Sequence, residues 1–181
     1  MKTTKILVLD LEATCWDRES GIKYTPEIIE IGICSYLPKT GEIVERNSYI
    51  IKPYGAISDY CTNLTGITQE KVDKGISLQE AMNTIKNTYK SPRLIWSSWG
   101  DWDERTLYTD CNKKNAPFVF SQQHLNIKAL CAVKLAKLNL SIKTTGVEDA
   151  LKLLGMKFEG KPHSGLDDAI NTARILDKLL C

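Results

Sequence analysis

Asp10-Leu11-Glu12 sets two carboxylates at the end of an apolar run, residues 5–13 (KILVLDLEA). Strand side chains alternate with period 2, so Asp10 and Glu12 project from one face and Leu11 from the other. Two such acids repel and resist desolvation unless a cation joins them, and oxygen ligands suit Mg²⁺ or Mn²⁺. Taken alone, the pair equally suits two acids facing solvent past a strand end. Trp99-Gly100-Asp101-Trp102-Asp103-Glu104 closes a strand and opens a helix, the place where α/β sheets put ligands. Asp101 has Glu104 three residues later and reads as an N-cap with a reciprocal partner, which leaves Asp103 the better ligand. His163-Ser164-Gly165-Leu166-Asp167-Asp168 opens the last helix. On a helical wheel Asp167 falls with Asn171, Arg174 and Lys178 on a polar face, and Asp168 beside Thr172, Ile175 and Leu179 at the edge of the packed face. A capping box of Ser164 with Asp167 accounts for one acid, so Asp168 is the one pointing inward without a partner. His163 stands just ahead of it. Imidazole ordinarily titrates near neutrality, so His163 is the candidate for moving a proton.

The elements that position these groups follow from apolar periodicity. Residues 5–13, 27–37, 42–52 and 93–98 read as strands, with a hairpin around Pro38 and Gly41 joining the second to the third. Helices are expected at 77–90, opened by a Ser77/Glu80 capping box, and at about 101–114, 122–137, 145–154 and 164–180. Short helical turns broken by Gly66 fill 56–74. Three strands followed by alternating helices and strands imply an α/β layer fold with a mixed central sheet. Without repeats or linkers, residues 1–181 read as a single domain.

Composition narrows the class. Of 181 residues 43% are hydrophobic and 25% charged, values of an ordinary globular protein. A net charge of +2 gives no global field for nucleic acid, but residues 121–162 hold seven lysines against Glu148, Asp149 and Glu159. Such a local excess attracts a phosphate backbone, or is a solvated helix face. The six cysteines, at 15, 34, 61, 111, 131 and 181, form no C-x-x-C pair and read as reduced thiols. No signal-peptide or membrane-spanning run is present, so a cytoplasmic location with no membrane partner is expected.

In order and spacing, DLEATCW at 10–16, SSWGDWD at 97–103 and HSGLDDAINTARI at 163–175 resemble the motifs of the DEDDh family of 3′→5′ exonucleases, over essentially the whole chain. EIIEIG at 27–32, LTGIT at 64–68, LNIK at 125–128 and LGMKFEGKPHSGLDDA at 154–169 are similar to the branch that holds histone-mRNA 3′ exonucleases, enhancer-of-RNAi nucleases and KapD-type proteins. The resemblance implies a ribonuclease-H-like fold with a five-stranded mixed sheet, the missing strand falling near 116–120. It implies that Asp10, Glu12, Asp103 and Asp168 bind two divalent ions, Mg²⁺ or Mn²⁺, and that His163 is the general base. It implies hydrolysis of single-stranded nucleic acid from the 3′ end, RNA favoured over DNA, with release of nucleoside 5′-monophosphates. Ala13 and Thr14 would meet the terminal sugar and Leu64 the terminal base. Trp102 is a further base contact or a core residue, and Asn126 supports the site or caps a helix. Glu30 stands either beside the site or at a sheet edge. Two rivals share the fold, a DNA proofreading exonuclease and a catalytically silent binding module. A third, endonucleolytic ribonuclease H activity, would cut internally.

Overall fold

A computed structural model describes residues 5–139 and 146–180. Five strands form one sheet: β1 (Ile6–Ala13), β2 (Ile28–Leu37), β3 (Glu42–Ile50), β4 (Trp96–Ser98) and β5 (His124–Asn126). Their order is β3-β2-β1-β4-β5. The hairpin partners β1, β2 and β3 run antiparallel, whereas β4 and β5 join parallel to β1. The helices are α1 (Asp59–Thr65), α2 (Gln69–Asp73), α3 (Leu78–Tyr89), α4 (Trp102–Lys113), α5 (Ile127–Lys137), α6 (Val147–Leu153) and α7 (Gly165–Leu180). The expected mixed α/β sheet is therefore present. Ser77 and Glu80 form the expected reciprocal cap of α3. Lys143, Thr145 and Cys181, which entered the expectations above, lie outside the described residues. Among the described residues no helix is long and apolar enough to cross a membrane.

The fifth strand is not where the apolar run FVF suggests. Val119 and Phe120 are buried against Trp96, with Phe120 4.8 Å from its ring, and Phe118 packs beside them. This segment is apolar because it packs under a large indole, not because it pairs. Strand pairing passes instead to the polar triplet His124–Asn126, in register with Trp96, Ser97 and Ser98. A three-residue edge strand carries too little alternation to be read from sequence. The helix expected from 122 accordingly starts at Ile127.

Strand alternation sorts β1 between two cores. Leu7, Leu9 and Leu11 join Met82 and Ile85 of α3 and Leu107 of α4 on one face. Val8 joins Cys34 of β2, Ile127 of α5, Ala150 of α6 and Ala173 of α7 on the other. Asp10 and Glu12 continue the Val8 side, so they face α7.

That helix reaches the sheet through bare backbone. Gly32 is the register partner of Asp10, and a Cβ built on it would lie 2.0 Å from the Gly165 carbonyl carbon. No side chain fits there without moving the first turn of α7. Gly32→Ala is expected to cost about 3 kcal/mol, the upper range for overpacking, or roughly 6–12 °C in Tm. Thermal unfolding checks this, and an unchanged Tm would refute the close approach.

Candidate active site

Four acidic groups come from three elements and reach one place. Asp10 and Glu12 sit at the exit of β1, where the register with β2 shifts between Glu12 and Ala13. Asp168 lies in the first turn of α7. Carboxylate oxygens of Asp10, Glu12 and Asp168 lie within 4.8 Å of one another, close enough to share a cation. Asp103, 4% exposed in the first turn of α4, accepts the Leu11 amide at 3.2 Å from the strand between the two β1 acids. All four acids line one cleft of about 390 Å³ together with His163.

His163 has a left-handed backbone (φ 61°), unusual for a side chain with a Cβ. The turn is held by Asp168, whose Oδ2 accepts the His163 amide at 2.8 Å and whose carboxylate also receives the Ser164 amide. The reciprocal partner at this helix start is thus Asp168, not Asp167. Asp167 accepts the Lys161 amide at 2.9 Å and so closes the loop carrying His163. Asn171, expected on a polar face, is fully buried: it accepts the Glu159 amide and donates to the carbonyls of Glu159 and Asp167. Glu30 is 5% exposed, neither at an edge nor free. Its two oxygens accept the Gly165 amide (3.0 Å) and the Ser48 hydroxyl (2.6 Å), anchoring the N-terminus of α7 to β2. The anchoring role of Glu30 could be suspected from an acid inside an apolar strand. That of Asn171 left no sequence signal.

The electrostatics are those of an unneutralised acidic cluster. Burial, then the carboxylates of Asp103, Asp168, Glu12 and Glu30, push the Asp10 carboxyl well above its ordinary range. Burial, with Asp168, Glu30 and Asp103, pushes Glu12 up to about 8. Burial outweighs the Leu11 and Ser98 hydrogen bonds at Asp103, raising it to about 7, and raises Asp168 to about 6. Among the described residues no lysine or arginine ranks with burial and these carboxylates in setting their ionisation, and His163 opposes only the shift of Asp168. Carboxylate oxygens that hold each other protonated are hard donors lacking a counter-charge, and a divalent cation fits that set.

This predicts a pH dependence with a definite sign. Folded Glu12 keeps its proton to about pH 8, whereas the unfolded chain releases it near the ordinary 4.5. That contribution is complete below about pH 4.5 and is lost as pH rises to 8, so the metal-free protein loses stability across the window. Bound cation needs the ionised form. With EDTA, Tm should be lower at pH 8 than at pH 6. Millimolar Mg²⁺ or Mn²⁺ should add more at pH 8, roughly 5–10 °C for a cation 100-fold above its Kd. Equal increments at both pH values would refute it.

The cleft also gathers Ala13, Thr14, Leu64 and Trp102. Thr14 is fixed by an exchange with Glu27: its amide donates to the Glu27 carbonyl (2.8 Å) and its hydroxyl accepts the Glu27 amide (3.0 Å). Glu27 in turn meets Lys114 at 3.2 Å, and Lys114 meets buried Asp110 at 3.0 Å. This brace across α4 escaped the sequence reading because its members are 27, 110 and 114. Trp102 is 44% exposed, so it is a cleft wall, not core. Asn126 lies outside the cleft lining and caps α5, accepting the Ala129 amide at 2.9 Å. Asp101 is the N-cap residue of α4 without a side-chain cap bond, and its carboxylate instead meets Arg105 at 3.1 Å. His124 accompanies Asp103 indirectly: its Nε2 is 2.9 Å from Ser98 Oγ and its Nδ1 3.2 Å from Glu104.

Comparison with known proteins gives consistent matches. Residues 7–176 match the Exonuclease family profile, RNase_T. The 3′-5′ exonuclease Snipper of Drosophila melanogaster is 30% identical over 97% of this chain and 69% of its own length. ERI1 exoribonuclease 2 of Xenopus laevis is 28% identical over 97% of this chain, which spans only 28% of that protein. Human 3′-5′ exoribonuclease 1 is 29% identical, the chain covering 52% of it. Among solved structures, the nuclease domain of 3′hExo, a DEDDh family member bound to rAMP, superposes with a TM-score of 0.86 at 26% identity, over 99% of this chain and 92% of that one. The 3′-exonuclease recognising the 3′ end of the histone mRNA stem-loop gives 0.83 at 27% identity, over 99% and 83%.

Proposed function

The chain belongs to the exonuclease family, DEDDh type, and from that premise we propose that it removes nucleotides from single-stranded 3′ ends, RNA in preference to DNA, releasing nucleoside 5′-monophosphates. The observation that carries the reading is the convergence of Asp10, Glu12, Asp103, Asp168 and His163 on one cleft. The family implies dependence on divalent metal. The preference for RNA is supported by the relatives' description as exoribonucleases and by the rAMP of the 3′hExo nuclease domain. Residues 1–181 act as one exonuclease domain in this reading.

The residues divide the work. Asp10, Glu12, Asp103 and Asp168 would hold two Mg²⁺ or Mn²⁺ ions, whose chemistry when bound is to acidify water near neutral pH and to relieve charge on the leaving 3′-oxygen. His163, which lines the cleft, takes the proton from the attacking water at its imidazole. Asp168 orients it by holding the His163 amide. Ala13 and Thr14, beyond the register shift in β1, meet the terminal sugar, and Leu64 and Trp102 offer apolar faces to the terminal base.

The test is degradation of 5′-labelled RNA and DNA oligonucleotides with Mg²⁺, Mn²⁺ or EDTA. A ladder shortening from the 3′ end is expected with either metal, faster on RNA, absent in EDTA and absent on a 3′-blocked strand. Internal cuts, or intact strands with both metals, would overturn the reading. DNA degraded as fast as RNA would overturn the stated preference.

A further inference from the structure

A second cleft, of about 640 Å³, lies beside the first on the outer flank of α4, between that helix and the segment leading into β5. Its floor is aromatic. Tyr108 is 58% exposed and meets Phe118 edge-on at 5.9 Å, and Phe118 meets Phe120 edge-on at 6.0 Å. Its rim is polar, with Glu104, Arg105 and Gln122. Edge-on packing leaves a ring face open, and a large aromatic exposed without a covering partner is a stacking surface.

Charge selects the ligand class. Glu104 on the rim disfavours a phosphate, and Arg105 is already paired with Asp101 at 3.1 Å. A planar group with N–H donors fits better: it can stack on Tyr108 and donate to Glu104 or Gln122, as an exposed nucleobase does. Continuity with the active site selects the strand. Trp102, a wall of the first cleft, and Tyr108 of the second stand on the same helix, about 9 Å apart along its axis at 1.5 Å per residue and about 120° apart around it, with Arg105 of the rim between them. The second cleft also touches the active-site acids through Glu104, His124, Ser98 and Asp103 in succession.

We propose that the cleft between α4 and residues 118–122 is a subsite for a nucleobase upstream of the terminal nucleotide, with Tyr108 as the stacking platform. The proposal rests on the nuclease reading and sharpens its substrate: a strand long enough to reach Tyr108 binds better than one that ends before it.

The test compares a dinucleotide with a hexaribonucleotide on the full chain, wild type against Tyr108→Ser and Tyr108→Phe. Tyr108→Ser should raise KM for the hexamer about tenfold, the scale of one lost base stack, and leave both constants for the dinucleotide unchanged. Tyr108→Phe should keep the wild-type KM. Fluorescence anisotropy of labelled hexamer on Asp10→Asn, alone and combined with Tyr108→Ser, reads the same difference without turnover. Absence of cleavage by wild type would then sink the nuclease reading while binding still decides the subsite. An unchanged hexamer KM and affinity would overturn the subsite and leave the cleft to a protein partner. Equal loss on the dinucleotide would also overturn it, since the ring would then only support α4.

Discussion

Asp10→Asn should cripple strand degradation while raising the melting temperature of the metal-free protein. The substitution keeps shape and removes one charge from a site where burial and four neighbouring carboxylates all oppose ionisation of Asp10. Relieving that repulsion stabilises the fold, by roughly 2–4 °C in Tm per kcal/mol. The same charge is what would hold a cation, so activity should fall about a hundred- to a thousandfold, the scale of losing one preorganised electrostatic contact. The gain should be larger at pH 8 than at pH 6, because Glu12 and Asp103 remain partly protonated near pH 7–8 and repel less at the lower value. Mg²⁺ should no longer add to Tm. A variant that lost activity and also lost stability would mean that Asp10 serves the fold, and one that kept activity would remove it from the site. Opposed effects of this kind mark residues retained for chemistry at the expense of stability.

His163→Ala should lower kcat by roughly 10²–10⁴-fold, the range for losing a positioned general base, with little change in KM. The contact that seats this loop is made by the His163 amide, not its ring, so Asp168 keeps its partner in the variant. The left-handed backbone at φ 61° is the one structural complication, since alanine tolerates it poorly. Asparagine tolerates it better, so His163→Asn separates chemistry from strain: both variants should lose kcat alike if the imidazole moves the proton. Near wild-type turnover by either at neutral pH would dismiss the role.

The sequence exposed the acids well because each stands where an apolar pattern ends. Asp10 and Glu12 close β1, Asp103 opens α4 and Asp168 opens α7, and strand alternation turns the first two toward one face. Choosing Asp103 over Asp101 and Asp168 over Asp167 by capping reached the cleft-lining member each time, yet the bonds are different. Asp101 pairs with Arg105 and Asp167 holds the Lys161 amide, because side chains at a helix start choose among several nearby donors that spacing cannot rank. Local pattern also misplaced β5, whose three residues owe their strand state to Trp96, Ser97 and Ser98 alongside. Partners distant in sequence were illegible for the same reason: nothing near Glu30 announces Gly165, and nothing near Glu27 announces Lys114. Asn126 shows the converse, a residue between two readings that the Ala129 amide assigns to capping.

Glu30 and Gly165 are 135 residues apart in sequence, yet their bond and the bare contact at Gly32 seat the helix that carries Asp168. Half of the acidic cluster is thus translated early and its completing member late. Under the proposed function, a nascent chain with Asp10 and Glu12 already exposed has no working centre until α7 has been made and docked. The proposed activity therefore requires that this helix be docked, with the Glu30–Gly165 bond and the Gly32 contact both in place.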